Sequence, residues 1–207
     1  MTTRKQTPSM TVGPWFSYGL TPEDYGRKGL ATGRIAGAKV QGQHIKLSGC
    51  VYDGAGKPVP DAMLEIWQAN ANGRYAHPAD RRAAVPLQAE FSGFGRVSTD
   101  PDGRYAFTTI KPGRVPAPGS GGGGSGRGNV MQAPHLNLTV FARGLLSHLF
   151  TRLYFSDEGT ANAEDPILSL VEPARRGTLI AQRSASGAQY ALDIHLQGDN
   201  EMVFFQA

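Results

Sequence analysis

The 207-residue chain has a single cysteine, no long apolar run, and charges at only 18% of its positions. A lone thiol, Cys50, leaves no intrachain disulfide to hold the fold. Without about 18 consecutive apolar residues there is no membrane-spanning helix to expect. The opening MTTRKQTPSM is basic with no apolar stretch behind it, so it does not read as a secretory leader. A cytoplasmic protein is the expectation. The charges are scattered: 21 Lys+Arg against 17 Asp+Glu give +4 at pH 7. A nucleic-acid surface is therefore not expected, although a small anionic ligand suits this balance. What the chain has in excess is turn formers. Gly (27) and Pro (14) make up about one residue in five, above the roughly 12% of average usage. They are the poorest helix formers, which excludes a helical bundle. With 40% apolar residues, 9 Phe, 7 Tyr and 2 Trp, a core can still form. Many turns and a real core predict an all-β fold, a two-sheet β-sandwich.

Residues 1–44 read as an irregular N-terminal arm, without sustained period-2 or period-3.6 patterning. Its Trp15, Phe16 and Tyr18 need burial against the sandwich or a partner chain. Residues 45–207 read as the β-sandwich domain. Strands are predicted at His44–Val51, Met63–Trp67, Arg104–Ile110, Leu136–Ala142, Leu149–Phe155, Tyr190–Leu196 and Met202–Phe205. Asp100-Pro101-Asp102-Gly103 is a strong turn. Only Thr160–Val171 looks helical, and Pro166 limits it to short pieces. Residues 119–128 contain a Gly/Ser tract that predicts a Gly-rich loop, an unsuitable place for a precisely held catalytic group. Trp67 and Phe107 read as core, and Cys50 as a small buried strand residue. Glu65, inside an apolar strand, needs a partner. His44, His77, His148 and His195 have no ligand partner at a metal-binding spacing. Arg152 is expected to meet a carboxylate within the scaffold.

Several segments together carry a resemblance. They are Leu64-Glu65-Ile66-Trp67-Gln68-Ala69-Asn70, Asn72-Gly73-Arg74-Tyr75, Asp102-Gly103-Arg104-Tyr105, Thr109-Ile110-Lys111-Pro112-Gly113, Pro134-His135 and Thr151-Arg152-Leu153-Tyr154-Phe155. In this order and spacing the chain resembles the intradiol ring-cleaving dioxygenases. The resemblance implies a sandwich and, in the family, a non-haem ferric ion held by two tyrosinates and two histidines. Matched residue by residue, the four positions here are Tyr75, Val115, His135 and Asn137. Valine offers no ligand, and a neutral amide is a poor substitute for imidazole. No metal is therefore expected on this chain.

A chain with lost ligands has a place in heteromeric members of the family. There an iron-bearing β subunit pairs with an α subunit, and α supplies part of the wall around the substrate. Further resemblance to such α subunits lies in Thr11-Val12-Gly13-Pro14, Phe141-Ala142-Arg143-Gly144 and the C-terminal Val203-Phe204-Phe205. It implies substrate contacts by Thr11, Gly13, Pro14 and Arg143, the last as a guanidinium for a carboxylate. The implied cofactor is Fe(III), bound by the β partner. The implied reaction cleaves 3,4-dihydroxybenzoate with O2 between its hydroxyl-bearing carbons, giving 3-carboxy-cis,cis-muconate. The implied assembly is a hetero-oligomer of αβ units, and this chain alone is expected to be inactive. Two other readings stand beside this one. The first is a metal-free sandwich serving as a binding or interaction module. The second is a stand-alone catechol-type dioxygenase, which Val115 and Asn137 disfavour.

Overall fold

Strands form where apolar and polar residues alternate. In β1 (His44–Tyr52) Ile45 and Leu47 are buried while His44 and Lys46 face water. In β4 (Arg104–Ile110) Tyr105 and Phe107 are buried between exposed Arg104, Ala106 and Thr108. The two pair antiparallel from His44 opposite Ile110 to Cys50 opposite Arg104. The computed structural model describes residues 17–117, 130–185 and 187–206. Among these, the remaining strands are β2 (Met63–Trp67), β3 (Phe94–Ser98), β5 (Val115–Pro116), β6 (Met131–Gln132), β7 (His135–Phe141), β8 (Leu149–Phe155), β9 (Ile180–Arg183), β10 (Gln189–Ala191) and β11 (Ile194–His195).

The hydrogen-bonded path has two halves. One runs β4-β1-β10-β9, with β11 also on β1; the other runs β8-β7-β2-β3. They join where β9 runs parallel to β8 at Tyr154–Ile180 and Phe155–Ala181. Both halves feed one core: Leu47, Phe107 and Tyr190 from the first, Leu64, Ile66, Leu136, Leu138 and Leu153 from the second. This is the predicted all-β sandwich. Short helices, α1 (Ser17–Leu20) and α2 (Gly159–Glu164), and 3-10 turns lie at its margins.

The described part of the arm packs onto the sandwich. Ile35, Ala36 and Val40 are buried in the core. Ile35 N–H donates to Thr108 O, and Ser92 N–H donates to Ile35 O. This crossing explains β3, which the sequence pattern does not reveal. A Cβ on its Gly95 would lie 2.5 Å from Ile35 Cγ1, so the strand carries glycine where the arm presses against it.

Two predicted strands are altered. Tyr190–Leu196 is broken into β10 and β11, because Asp193 Oδ1 accepts the Cys50 N–H at 2.9 Å where a ladder carbonyl would stand. Met202–Phe205 forms no strand; Phe205 makes one bridge to Phe150. The helical stretch divides into α2 and a 3-10 turn at Leu168–Leu170 on either side of Pro166. The Gly-rich loop expected at 119–128 lies outside the described residues; before and after it β5 pairs with β6, and Ala117 N–H donates to Val130 O.

One buried carboxylate ties the margin to the sheet. Asp165 is fully buried and accepts from the N–H groups of Ala133 (2.7 Å), Ile167 (2.9 Å) and Leu168 (2.7 Å), and from the Tyr154 hydroxyl (3.1 Å). Removing one acceptor leaves a buried donor facing an amide N–H. Asp165→Asn is expected to lower unfolding stability by about 2–4 kcal/mol, read as a shifted urea midpoint at unchanged slope.

Candidate functional site

The segments that carry the resemblance meet at Asn70. Its side-chain oxygen accepts from Asn72 N–H (3.0 Å) and Arg74 N–H (2.9 Å). Its carbonyl accepts from Gly73 and Gly113, both at 2.9 Å. Gly73 has φ 77°, and a Cβ there would fall 1.9 Å from Arg114 O. Backbone thus lies against backbone, and the Tyr75 and Val115 segments are set side by side. Asp80 fixes the next turn by accepting Tyr75 N–H at 2.9 Å while paired with Arg82.

His135 and Asn137 are i and i+2 on β7, so they share a face. Opposite them on β8 stand Tyr154 and Arg152, in register. Tyr75 hydroxyl lies 3.4 Å from Asn137 Nδ2, and its ring stacks on Trp67 at 5.8 Å and 15°. Three of the four matched positions therefore gather at one place, with Val115 buried on the adjoining β5.

Their chemistry is that of a neutral cluster. His135 is buried, and its Nδ1–H donates to Ala133 O at 2.8 Å. Burial first, then the nearby Arg152 guanidinium, lower its pKa to about 4. Burial raises the Tyr75 phenol, outweighing the opposing effects of Asn137, Arg152 and Arg82. A ferric site needs anionic oxygen and imidazole donors around an uncrowded centre. Here a neutral phenol and one imidazole face an amide N–H, a valine and a guanidinium. These residues do not fit the ion. Among the described residues, no group of three His, Cys, Asp or Glu side chains is placed to hold a metal.

Arg143 is elsewhere. It follows the far end of β7 from His135, roughly 25 Å away by the rise of an extended strand. Its guanidinium pairs with Asp61 at 2.9 Å, and both side chains are about half exposed. The structure does not bring Arg143 to Tyr75, His135 and Asn137. Thr11, Gly13 and Pro14 lie outside the described residues.

Other expectations are corrected by geometry. Trp67 is partly exposed on the outer face, stacked on Tyr75 and tilted against Phe94, whereas Phe107 is core. Glu65 meets Arg96 Nε at 2.7 Å, its cross-strand neighbour. Arg152 has no carboxylate within ion-pairing distance among the described residues; it donates to Gln132 Oε1 at 2.6 Å and to the Tyr154 hydroxyl. Alternation along β2 and β8 is the signal that places Trp67 and Arg152 on one side, but their neighbours depend on strand order.

Comparison with known proteins settles the relationship. Residues 12–198 match the Dioxygenase family profile. The chain belongs to the intradiol dioxygenase family. It is 46% identical to the protocatechuate 3,4-dioxygenase alpha chain of Burkholderia cepacia, covering 99% of each chain. It is 35% identical to the protocatechuate 3,4-dioxygenase beta chain of the same organism, covering 82% of this chain and 71% of that one. The dioxygenase domain of a carbohydrate-binding fusion protein from Streptomyces sp. SirexAA-E superposes with a TM-score of 0.56 at 24% identity, covering 81% and 88%. This last likeness shows the shared fold. Among the described residues, no helix is long and apolar enough to cross a membrane.

The buried imidazole has a consequence for stability. The unfolded chain takes up a proton near pH 6.5, which the folded chain refuses until about pH 4. Stability is therefore complete above the higher value and falls as pH drops through this window, by up to about 3 kcal/mol. His135→Asn keeps a donor for Ala133 O and is expected to flatten that decline relative to wild type in denaturant titrations run across the window.

Proposed function

We propose that this chain is the α-type subunit of a heteromeric protocatechuate 3,4-dioxygenase, completing an active site whose iron is held by a homologous β-type subunit. One observation carries the reading. The chain is similar over 99% of its length to an alpha chain, yet only Tyr75 and His135 remain of the family's four ligands. A β-type relative, 35% identical over 82% of this chain, supplies the natural class of partner. In this reading the heteromer cleaves 3,4-dihydroxybenzoate with O2 to 3-carboxy-cis,cis-muconate, and Fe(III) belongs to the partner. A cytoplasmic location accords with the lone buried cysteine.

The contribution of this chain is binding and orientation. Arg143 stands at a loop, half exposed, with one neutralising contact from Asp61. It lies far from Tyr75 and His135 and so is not part of the cluster they form, which suits a role in a wall shared with the partner. A guanidinium there binds the substrate carboxylate through two charge-assisted hydrogen bonds. The arm at 1–44, with Thr11, Gly13 and Pro14, is assigned to the same shared wall.

Expressed alone, the chain is expected to be colourless, iron-free and inactive. Co-expression with a β-type subunit is expected to give a coloured ferric complex that turns over 3,4-dihydroxybenzoate. An active iron enzyme from this chain alone would refute the reading. In the complex, Arg143→Ala is expected to raise KM for 3,4-dihydroxybenzoate on the order of tenfold or more while leaving catechol little changed. Equal effects on both substrates would remove the carboxylate role.

A further inference from the structure

Two turns stand side by side at the end of the sheet away from His135. One leads into β2, and the other leaves β7. The antiparallel register, Met63 opposite Phe141, carried two places further sets Ala62 beside Ala142 and Asp61 beside Arg143. Both alanines are buried. The ion pair between Asp61 Oδ2 and Arg143 Nη2, at 2.9 Å, follows from that register.

The backbone is fixed on both sides of the pair. Asp61 follows Pro60 and has φ 62°, the pattern of a type II turn over residues 59–62. The Thr99 hydroxyl spans this turn, donating to Val59 O at 2.8 Å and accepting from Ala62 N–H at 2.9 Å. Thr99 N–H returns a bond to Ala62 O at 2.8 Å. Beside it, Leu145 N–H donates to Ala142 O at 3.2 Å, closing the second turn with Arg143 and Gly144 (φ 89°) at its centre. Glycine and asparagine are the usual occupants of a left-handed position. Among the described residues, Asp61 is the only non-glycine that holds one. The turn itself does not call for a carboxylate, since glycine would form it with less strain. What the carboxylate reaches is Arg143.

An arginine side chain has many rotamers and loses much freedom when it must bind in one geometry. The contact through Nη2 engages one edge of the guanidinium. The planar fork has five N–H donors, so a second carboxylate can still be held by two parallel bonds. Both side chains are about half exposed, so water and salt weaken the repulsion between two carboxylates on one cation. We propose that Asp61 is a positioning residue for Arg143, holding the guanidinium by one edge so that its remaining donors meet the substrate carboxylate in a fixed plane. The proposal rests on the reading of Arg143 as the carboxylate-binding residue of the heteromer. It adds that preference for an acid substrate comes from a pair of residues on neighbouring turns, one of which never touches the substrate.

The test uses the complex with a β-type subunit. Asp61→Gly deletes the carboxylate and suits the backbone of the turn. Its effect is read as the ratio of KM for 3,4-dihydroxybenzoate to KM for catechol, with kcat measured beside it. That ratio is expected to rise about fivefold, while kcat for 3,4-dihydroxybenzoate changes by less than about twofold. Asp61→Asn also tolerates the left-handed backbone and keeps an oxygen acceptor without the charge; it is expected to raise the ratio about threefold. It replaces the glycine variant should that one fail to assemble. In an Arg143→Ala background, Asp61→Gly is expected to leave the ratio where Arg143→Ala alone sets it, because the two side chains act as a unit. A turn with only a structural role would raise KM for both substrates alike, with or without Arg143. An unchanged or lowered ratio, or the same shift in both backgrounds, would overturn the proposal while the effect of Arg143→Ala stands. Should Arg143→Ala itself leave the ratio unchanged, the carboxylate reading of Arg143 falls, and the role of Asp61 with it.

Discussion

The register of β7 between β2 and β8 decides both sides of this protein. Leu136, Leu138 and Val140 point into the core and are buried. His135, Asn137, Thr139 and Phe141 take the other face. A slip by one residue would exchange the two sets, placing an amide and an imidazole where three aliphatic side chains now pack. The cost of that exchange is what holds His135 opposite Tyr154 and Asn137 opposite Arg152. The core thus dictates where the polar chemistry stands.

That chemistry has turned from ion binding toward neutrality. The neutral imidazole is the form that a metal binds, so the misfit with a trivalent cation rests on the other positions. The substituted positions reinforce this. Valine removes one donor, and asparagine presents N–H toward the phenol oxygen. The adjoining guanidinium adds positive charge to a site that would otherwise have to accept more.

Long alternating strands were legible in the amino-acid pattern, because half-buried β1, β4, β7 and β8 need period-2 order. The break between β10 and β11 was hidden, since it depends on the Asp193 side chain capping a backbone group on β1. β3 was hidden for a related reason: Phe94-Gly95-Arg96-Val97-Ser98 has a glycine required by the arm crossing over it. Among site residues, the types at 75, 115, 135 and 137 could be read in order, and their sum already argued against iron. The stacking of Trp67 on Tyr75, and the absence among the described residues of an acidic partner for Arg152, could not. Both follow from which strands become neighbours, a property of the topology rather than of any local run of residues.

β7 also works as a spacer of fixed length. His135 at its start and Arg143, two residues past its end at Phe141, stand roughly 25 Å apart by the rise of an extended strand. A charge gained or lost at one end therefore acts only weakly on the other. A strand held in register on both sides transmits little geometric change along its length. The two termini of the strand can then change under separate constraints. Such insulation lets one end of the sheet diverge without forfeiting what the other end offers.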